Sequence, residues 1–270
     1  MCKRRIDFWY NTLPVKPNLS ICVGIYNGER YLAELLDSIL AQTFTDWVCV
    51  LVDDGSTDSS SEILRRYAAR DPRFKILVQA NAGVGAARNA ALAATETPFV
   101  MFADQDDRLA PNAMARALEM IEATGADILR FQSNRHVKNS IFAWEHIFRR
   151  TAIRDVRFLP ITGGEDTAFF WELGFLDLKR TKIGDELYWQ RPHDGSFSRA
   201  VSPRYIDNVF AAFREMRAVG RRHALSRLAL FRRLFPHVFW FTLSVLGKHL
   251  SRANAGALAK NLWRITYGRV

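Results

Sequence analysis

The sequence predicts an α/β protein built on a doubly wound, mostly parallel sheet, with a basic helical extension at its C-terminal end. Three observations predict it. Over the first 131 residues, apolar runs of strand length alternate with segments of helical period. The runs are almost continuously apolar, the pattern of strands covered by helices on both faces. Three of them end in polar clusters: Tyr26-Asn27, Asp53-Asp54 and Asp104-Gln105-Asp106-Asp107. In such a sheet the ligand crevice lies beyond the carboxyl ends of the strands, so the three clusters are expected to share one edge.

The elements follow in order. Leu19–Ile25 is the first strand, ended by Asn27-Gly28, and Tyr31, Leu32, Leu35, Leu36, Ile39 and Leu40 then recur at helical spacing. Trp47–Val52 is the second strand and runs into the turn residues Asp53-Asp54-Gly55-Ser56. Asp58 is placed to cap a helix with Ile63, Leu64 and Tyr67 on one face. Phe74–Val78 is a third strand, Gly83–Ala94 an alanine-rich helix, Phe99–Phe102 a fourth strand. Pro111 opens another helix and Ala126–Phe131 is a fifth strand. Further on, Phe142–Arg149 is expected as a short amphipathic helix with Trp144 and Phe148 on one side. Gly163-Gly164 precede Glu165-Asp166 and an apolar helix over Thr167–Leu173, and Tyr188–Gln190 reads as a strand entering a turn.

A chain of 270 residues with 49% hydrophobic and 24% charged residues can hold a core without disulfides or structural metal. Of Cys2, Cys22 and Cys49, the last two lie inside strands as small hydrophobes, and without a C-x-x-C spacing neither a zinc knuckle nor a redox pair is expected. Lys3, Arg4 and Arg5 are followed by no apolar stretch, which argues against a secretory signal, and no run is long enough to span a bilayer. The net charge of +10 is uneven. Residues 204–270 carry 13 Lys/Arg against Asp207 and Glu215, whereas the rest of the chain is nearly balanced. Leu234–Gly247, fourteen residues without a formal charge, is flanked by Arg232-Arg233 and Lys248, the composition of an interfacial helix on anionic lipid or of a core helix packed on the preceding domain. We therefore expect a domain over residues 1–203 and a tail over 204–270 that meets a membrane surface, with no nucleic-acid partner, since no binding motif accompanies the charge.

Chemistry concentrates in a few places. Asp104, Asp106 and Asp107 follow a buried strand, where two carboxylates can be offered to Mg²⁺ or Mn²⁺ shared with substrate phosphates; capping the next helix is the structural alternative. Asp53 at a strand end can accept hydrogen bonds from a base or ribose, or simply close its turn. The D-x-D-G-[ST] phosphatase pattern fails because Val52 occupies its first position. Gly83-Val84-Gly85 with Arg88 lacks the last glycine of a dinucleotide motif; its small residues suit close packing of helix on sheet, leaving Arg88 for a phosphate or carboxylate. Glu165-Asp166 suits a helix N-terminus electrostatically. His193, with Ser196 and Ser198, lies in a turn.

Taken together these segments resemble glycosyltransferase family 2, inverting enzymes of the A-type nucleotide-diphospho-sugar transferase fold. Ile21–Leu32 is similar to the family's opening strand and helix, Ser38–Thr43 to its S-[IL]-L-x-Q-T run, and Leu51–Asp58 to its V-D-D-G-S-x-D block. Asn81–Asn89, Phe102–Asp107, Gly164–Asp166 and His193–Ser198 resemble its later blocks in the same order, so the resemblance covers about Leu19 to Ser198. Gly24 stands where a proline is usual. The resemblance implies a nucleotide-diphospho-sugar donor held by Tyr26, Asn27, Asp53, Asp54, Asn81, Arg88 and Asp104. Asp53 would meet the base or ribose, and Asp106 and His193 a divalent metal. Asp166 would be the general base, with Glu165 and Asp107 as secondary candidates. It further implies a glycan or lipid-linked acceptor in cell-surface polysaccharide, lipopolysaccharide or glycolipid synthesis, at the cytoplasmic face of the membrane. Two other readings use the same residues: a NAD-dependent oxidoreductase on a Rossmann-like fold, which leaves Asp104–Asp107 unexplained, and a nucleotide-sugar binder without catalysis.

Overall fold

The computed structural model describes residues 17–135, 142–174, 176–192 and 203–224. Contact density divides it into two units. The first has its described residues within 17–160 and 177–191, the second within 161–176, at 192 and in 203–224.

The first unit is an eight-stranded sheet with helices. Its strands are β1 (Leu19–Ile25), β2 (Trp47–Asp53), β3 (Phe74–Val78), β4 (Phe99–Asp104), β5 (Arg108–Leu109), β6 (Ile128–Ser133), β7 (His146–Arg149) and β8 (Arg180–Trp189), in the order β3-β2-β1-β4-β7-β6-β8-β5. β1 to β4 are parallel, β6 and β8 are parallel, and β7 and β5 run against their neighbours, so six strands share one direction. The helices of this unit are α1 (Leu32–Leu40), α2 (Ser60–Arg70), α3 (Val84–Ala93), α4 (Ala113–Thr124) and the single turn α5 (Arg150–Ile153).

The apolar runs are strands because they are covered. All seven residues of β2 are buried, as are six of seven in β1. From α1, Leu32, Leu35, Leu36 and Ile39 enter the core at helical spacing. The small-residue helix α3 lies so close to β1 that a side-chain carbon on Gly24 would stand 3.0 Å from the Ala87 Cβ, which accounts for the bare backbone at Gly24. Phe102 is wedged edge-on between Phe148 and Phe158, ring centres 5.9 and 5.1 Å away, in contacts that stabilise beyond their buried area.

One expected element is different. Phe142–Arg149 is not a helix but a 3-10 turn over Ala143–Glu145 followed by β7. The four-residue interval between Trp144 and Phe148 imitates a helical face. The segment instead fills the slot between β4 and β6, pairing Val100 with Phe148 on one side and Ile128 with Phe148 on the other. β8 also extends well upstream of the expected Tyr188, because it pairs along β6 with a register shift.

The second unit contains α6 (Glu165–Leu173) and the twenty-residue α7 (Pro203–Arg222). α7 buries Ile206, Val209, Phe210, Phe213, Met216 and Val219 along one stripe. α7 covers the first part of the expected helical extension, while Leu234–Gly247 and the rest of the basic tail lie outside the described residues. Among the described residues no helix is long and apolar enough to cross a membrane.

Candidate functional site

Strand register brings the polar clusters together. Ile25 pairs with Asp53, and Gly24 with Asp104, so Tyr26-Asn27, Asp53-Asp54 and Asp104–Asp107 leave β1, β2 and β4 at the same carboxyl edge. Each cluster is then fixed by hydrogen bonds to the next.

Asp53 is buried, its Oδ1 accepting from Ser56 N–H at 2.9 Å and its Oδ2 from the Ser61 hydroxyl. Asp54 is equally buried. Its Oδ1 accepts from Gln79 Nε2 (2.7 Å) and Ala82 N–H (2.9 Å), its Oδ2 from Gly83 N–H (2.9 Å). Asp54 thereby holds the loop that enters α3, and this loop carries Asn81, which is exposed. Gly55, at φ +76°, makes the turn between them, its missing Cβ leaving room for the backbone of Asn81 at 3.0 Å. Asn27 takes the left-handed conformation (φ 50°), its Oδ1 accepting from Thr57 N–H at 2.8 Å while its own N–H donates to the Ser56 hydroxyl at 3.1 Å.

Tyr26, 46% exposed, presents its ring at this edge. Its backbone is gripped by Gln105, which accepts from Tyr26 N–H at 2.9 Å and donates to the Tyr26 carbonyl at 3.0 Å. Arg88, 3% exposed at the side chain, donates to Asp104 Oδ1 at 2.7 Å, so of its two expected partners the structure gives it a carboxylate. The end of β4 is thus joined to β1 through Gln105 and to α3 through Asp104 and Arg88.

The acidic loop is braced from β8. Tyr188 is buried and stacked on Trp144 with ring centres 4.7 Å apart; its hydroxyl accepts from Asp104 N–H at 2.9 Å and also hydrogen-bonds Asp107. Asp107 is buried, and its Oδ1 accepts from Arg191 N–H at 2.9 Å. Burial first, then the charges of Asp104 and Asp106, push its carboxyl up to about 8. Asp104 and Asp106, both half-buried, carry the remaining carboxylates of the loop.

Among the described residues no set of three or more His, Cys, Asp or Glu is arranged to hold a metal by itself. A cation shared with a diphosphate needs only one or two protein carboxylates. The half-buried carboxylates of Asp106 and Asp104 at this edge fit such an ion. His193 lies outside the described residues.

In the second unit, Gly163 and Gly164 have φ of +98° and +87° and turn the chain into α6. A Cβ on Gly164 would stand 3.0 Å from the Ala212 Cβ of α7. Glu165 and Asp166 are both buried at the start of α6, and Glu165 Oε2 accepts from Gly163 N–H at 2.7 Å. Burial, and then the Glu165 charge, raise the Tyr205 phenol on α7 above its ordinary range.

Sequence reasoning placed Gln105 at this edge without a role, and missed Tyr188 and Arg191 as parts of it. Gln105 stood in view between two aspartates. Tyr188 and Arg191 follow the acidic loop by some eighty residues and carried no signal until β8 was paired with β5.

Comparison with known proteins adds the following. The family model described as Glycosyl transferase family 2 matches residues 20–204. "Putative glycosyltransferase EpsH" of Bacillus subtilis (strain 168) is 27% identical over 231 residues, covering 73% of this chain and 67% of the relative. Two further relatives are covered to 63% and 34% of their length, so the chain spans only part of the curated proteins it matches. Among solved structures, S. aureus TarS 1-349 in complex with UDP-GlcNAc superposes with a TM-score of 0.73 at 22% identity, covering 91% of this chain and 81% of that one. Mannosyltransferase PcManGT from Pyrobaculum calidifontis, in complex with GDP-Man and Mn²⁺, gives 0.62 at 17% identity, covering 96% and 93%. The fold is that of A-type glycosyltransferases.

Proposed function

The chain belongs to glycosyl transferase family 2, and from that premise we propose that it moves a sugar, with inversion, from a nucleotide-diphosphate donor to an acceptor hydroxyl. The observation that carries this reading is the register that delivers Asp53, Tyr26 and Asp104–Asp107 to one carboxyl edge of the sheet. TarS holding UDP-GlcNAc and PcManGT holding GDP-Man with Mn²⁺ on the same fold support it. A nicotinamide-dependent reading gains no support from the family match or from these neighbours.

Asp53, with the Tyr26 ring exposed nearby, is assigned to the base and ribose of the donor. Asp54 and Asn27 set the loops around them, and Asn81 lies exposed on the loop that Asp54 holds. Asp104, steadied by Arg88, is assigned to the ribose or sugar, and Asp106 to the metal, with His193 as its partner from the later motif. A divalent cation held there, Mn²⁺ or Mg²⁺, would supply charge neutralisation for the departing diphosphate, an effect of several kcal/mol on such barriers. Asp166 is assigned as general base. An aspartate is ionised near neutrality, and its neighbour Glu165 already binds the Gly163 amide. As the hydroxyl oxygen attacks the anomeric carbon, its proton passes to the Asp166 carboxylate while the C–O bond to the diphosphate breaks on the opposite face. The acceptor is read as a glycan or lipid-linked glycan of cell-surface polysaccharide, lipopolysaccharide or glycolipid, reached at the cytoplasmic face of a membrane to which the basic tail attaches.

The test is a panel of sugar nucleotides assayed for metal-dependent transfer and donor hydrolysis. Asp106→Ala is expected to lose at least about 10²-fold in turnover together with the metal response. Asp166→Asn is expected to lose a comparable factor while still binding donor. Wild-type activity that survives chelation, or near-normal turnover in Asp166→Asn, overturns the respective assignment. Donor binding with no turnover on any acceptor or water would instead favour a nucleotide-sugar binder.

A further inference from the structure

At the end of β8, Arg191 makes more connections to the acidic loop than its place eighty-five residues downstream of Asp106 would lead one to expect. Its N–H donates to Asp107 Oδ1 at 2.9 Å and its Nε to the main-chain oxygen of Asp106 at 3.1 Å. The other end of the guanidinium bonds the Glu34 carboxylate on α1 through Nη2. Its Cζ lies 4.5 Å from the centre of the Tyr31 ring and 5.1 Å from that of Trp189. The Arg191 side chain is 17% exposed and its Glu34 partner 45% exposed, so the guanidinium is largely buried while its link to α1 lies at the surface.

We propose that Arg191 is a positioning residue that fixes the backbone of Asp106 relative to α1 and so presents the Asp106 carboxylate to a divalent cation. This rests on the reading of Asp104–Asp107 as the diphosphate end of the donor site. The physics is that of a planar fork. Nε and Nη2 reach two different segments at once while both aromatic faces hold the plane, which a flexible ammonium cannot reproduce. The anchor at the far end is rigid, because α1 is rooted in the core by Leu32, Leu35, Leu36 and Ile39, none of them exposed. The loop is thus tied to a fixed helix instead of resting on its own turn. Groups that orient a ligating side chain without touching the metal typically change metal affinity 10–100-fold when removed.

The experiment uses the full chain, with UDP, GDP and dTDP as probes titrated by calorimetry at a series of Mn²⁺ concentrations. Arg191→Lys and Arg191→Gln are expected to raise the Mn²⁺ concentration for half-maximal nucleotide binding by at least about tenfold. Nucleotide affinity without metal and the melting temperature should stay close to wild type. Glu34→Gln, which removes only the distal partner of the guanidinium, should move the Mn²⁺ requirement in the same direction by less, and it carries the test if the Arg191 variants do not fold. An unchanged Mn²⁺ requirement in the folded variants overturns the inference and leaves the donor reading standing. A wild type that binds nucleotide equally with and without Mn²⁺ overturns the metal reading, and the inference with it.

Discussion

Gly28 is open to alanine in its own backbone but not in its surroundings: a Cβ there would stand 2.5 Å from Gln105 Oε1 and 2.7 Å from its Cδ. The clash is with the end of a flexible side chain, so Gln105 would swing away at little cost and release its two hydrogen bonds to the Tyr26 backbone. Each such bond contributes about 0.5–1.5 kcal/mol. Gly28→Ala is therefore expected to weaken donor binding by roughly threefold to tenfold and to lower the melting temperature by several degrees. Gln105→Ala should act alike, and the double substitution should be no worse than either, because both remove the same contact. Additive losses in that cycle, measured by donor titration, would separate Gly28 from Gln105. The same scale explains what could be read in advance. Asp53, Asp104 and Asp106 announced themselves as carboxylates at strand ends. That Asp54 is consumed by Gln79, Ala82 and Gly83 could not be read, because those partners lie on another loop.

β7 is the element in which local pattern and global structure part. The segment Phe142–Arg149 has helical spacing, yet two neighbouring strands supply backbone partners on both sides of β7, and pairing them outweighs about two turns of helix. The strand buries His146, whose ring Nδ1 lies 2.8 Å from the Phe142 oxygen. Burial lowers this histidine to about 3 from its ordinary value of 6.5. Between those two values the unfolded chain binds the proton and the folded chain does not. Stability is thus complete at neutral pH and falls as pH drops below about 6.5, by up to about 1.4 kcal/mol per unit. His146→Asn keeps a donor for the Phe142 oxygen and removes the titration. From pH 7 to pH 5 the wild type should lose roughly 5 °C more in melting temperature than this variant. Equal losses would mean that His146 is not held neutral in the fold.

At the scale of the whole molecule, charge is separated from chemistry. The segment from Arg204 onward, with 13 Lys/Arg against two acids, carries slightly more than the whole net charge of +10, while the sheet that bears Asp53 and Asp104–Asp107 belongs to a nearly neutral remainder. α7 turns its apolar stripe inward and keeps Arg204, Arg221 and Arg222 exposed. The full chain should accordingly sediment with vesicles containing anionic lipid, far less with zwitterionic vesicles, and release as salt is raised to about 0.5 M, where screening shortens to a few ångströms. Equal sedimentation with both lipids would remove the electrostatic basis for membrane attachment. The sequence by itself determined the α/β class, the order of β1 to β4 with their helices, and the carboxylates of the acidic edge, because period and turn chemistry are local properties that each segment carries alone. Only the tertiary structure decided that residues 146–149 are a strand, that Gln105 clamps Tyr26, and that Tyr188 and Arg191 brace Asp104–Asp107. Those outcomes depend on which distant segment offers an unfilled hydrogen bond or a face to pack against, and that is settled when the sheet closes.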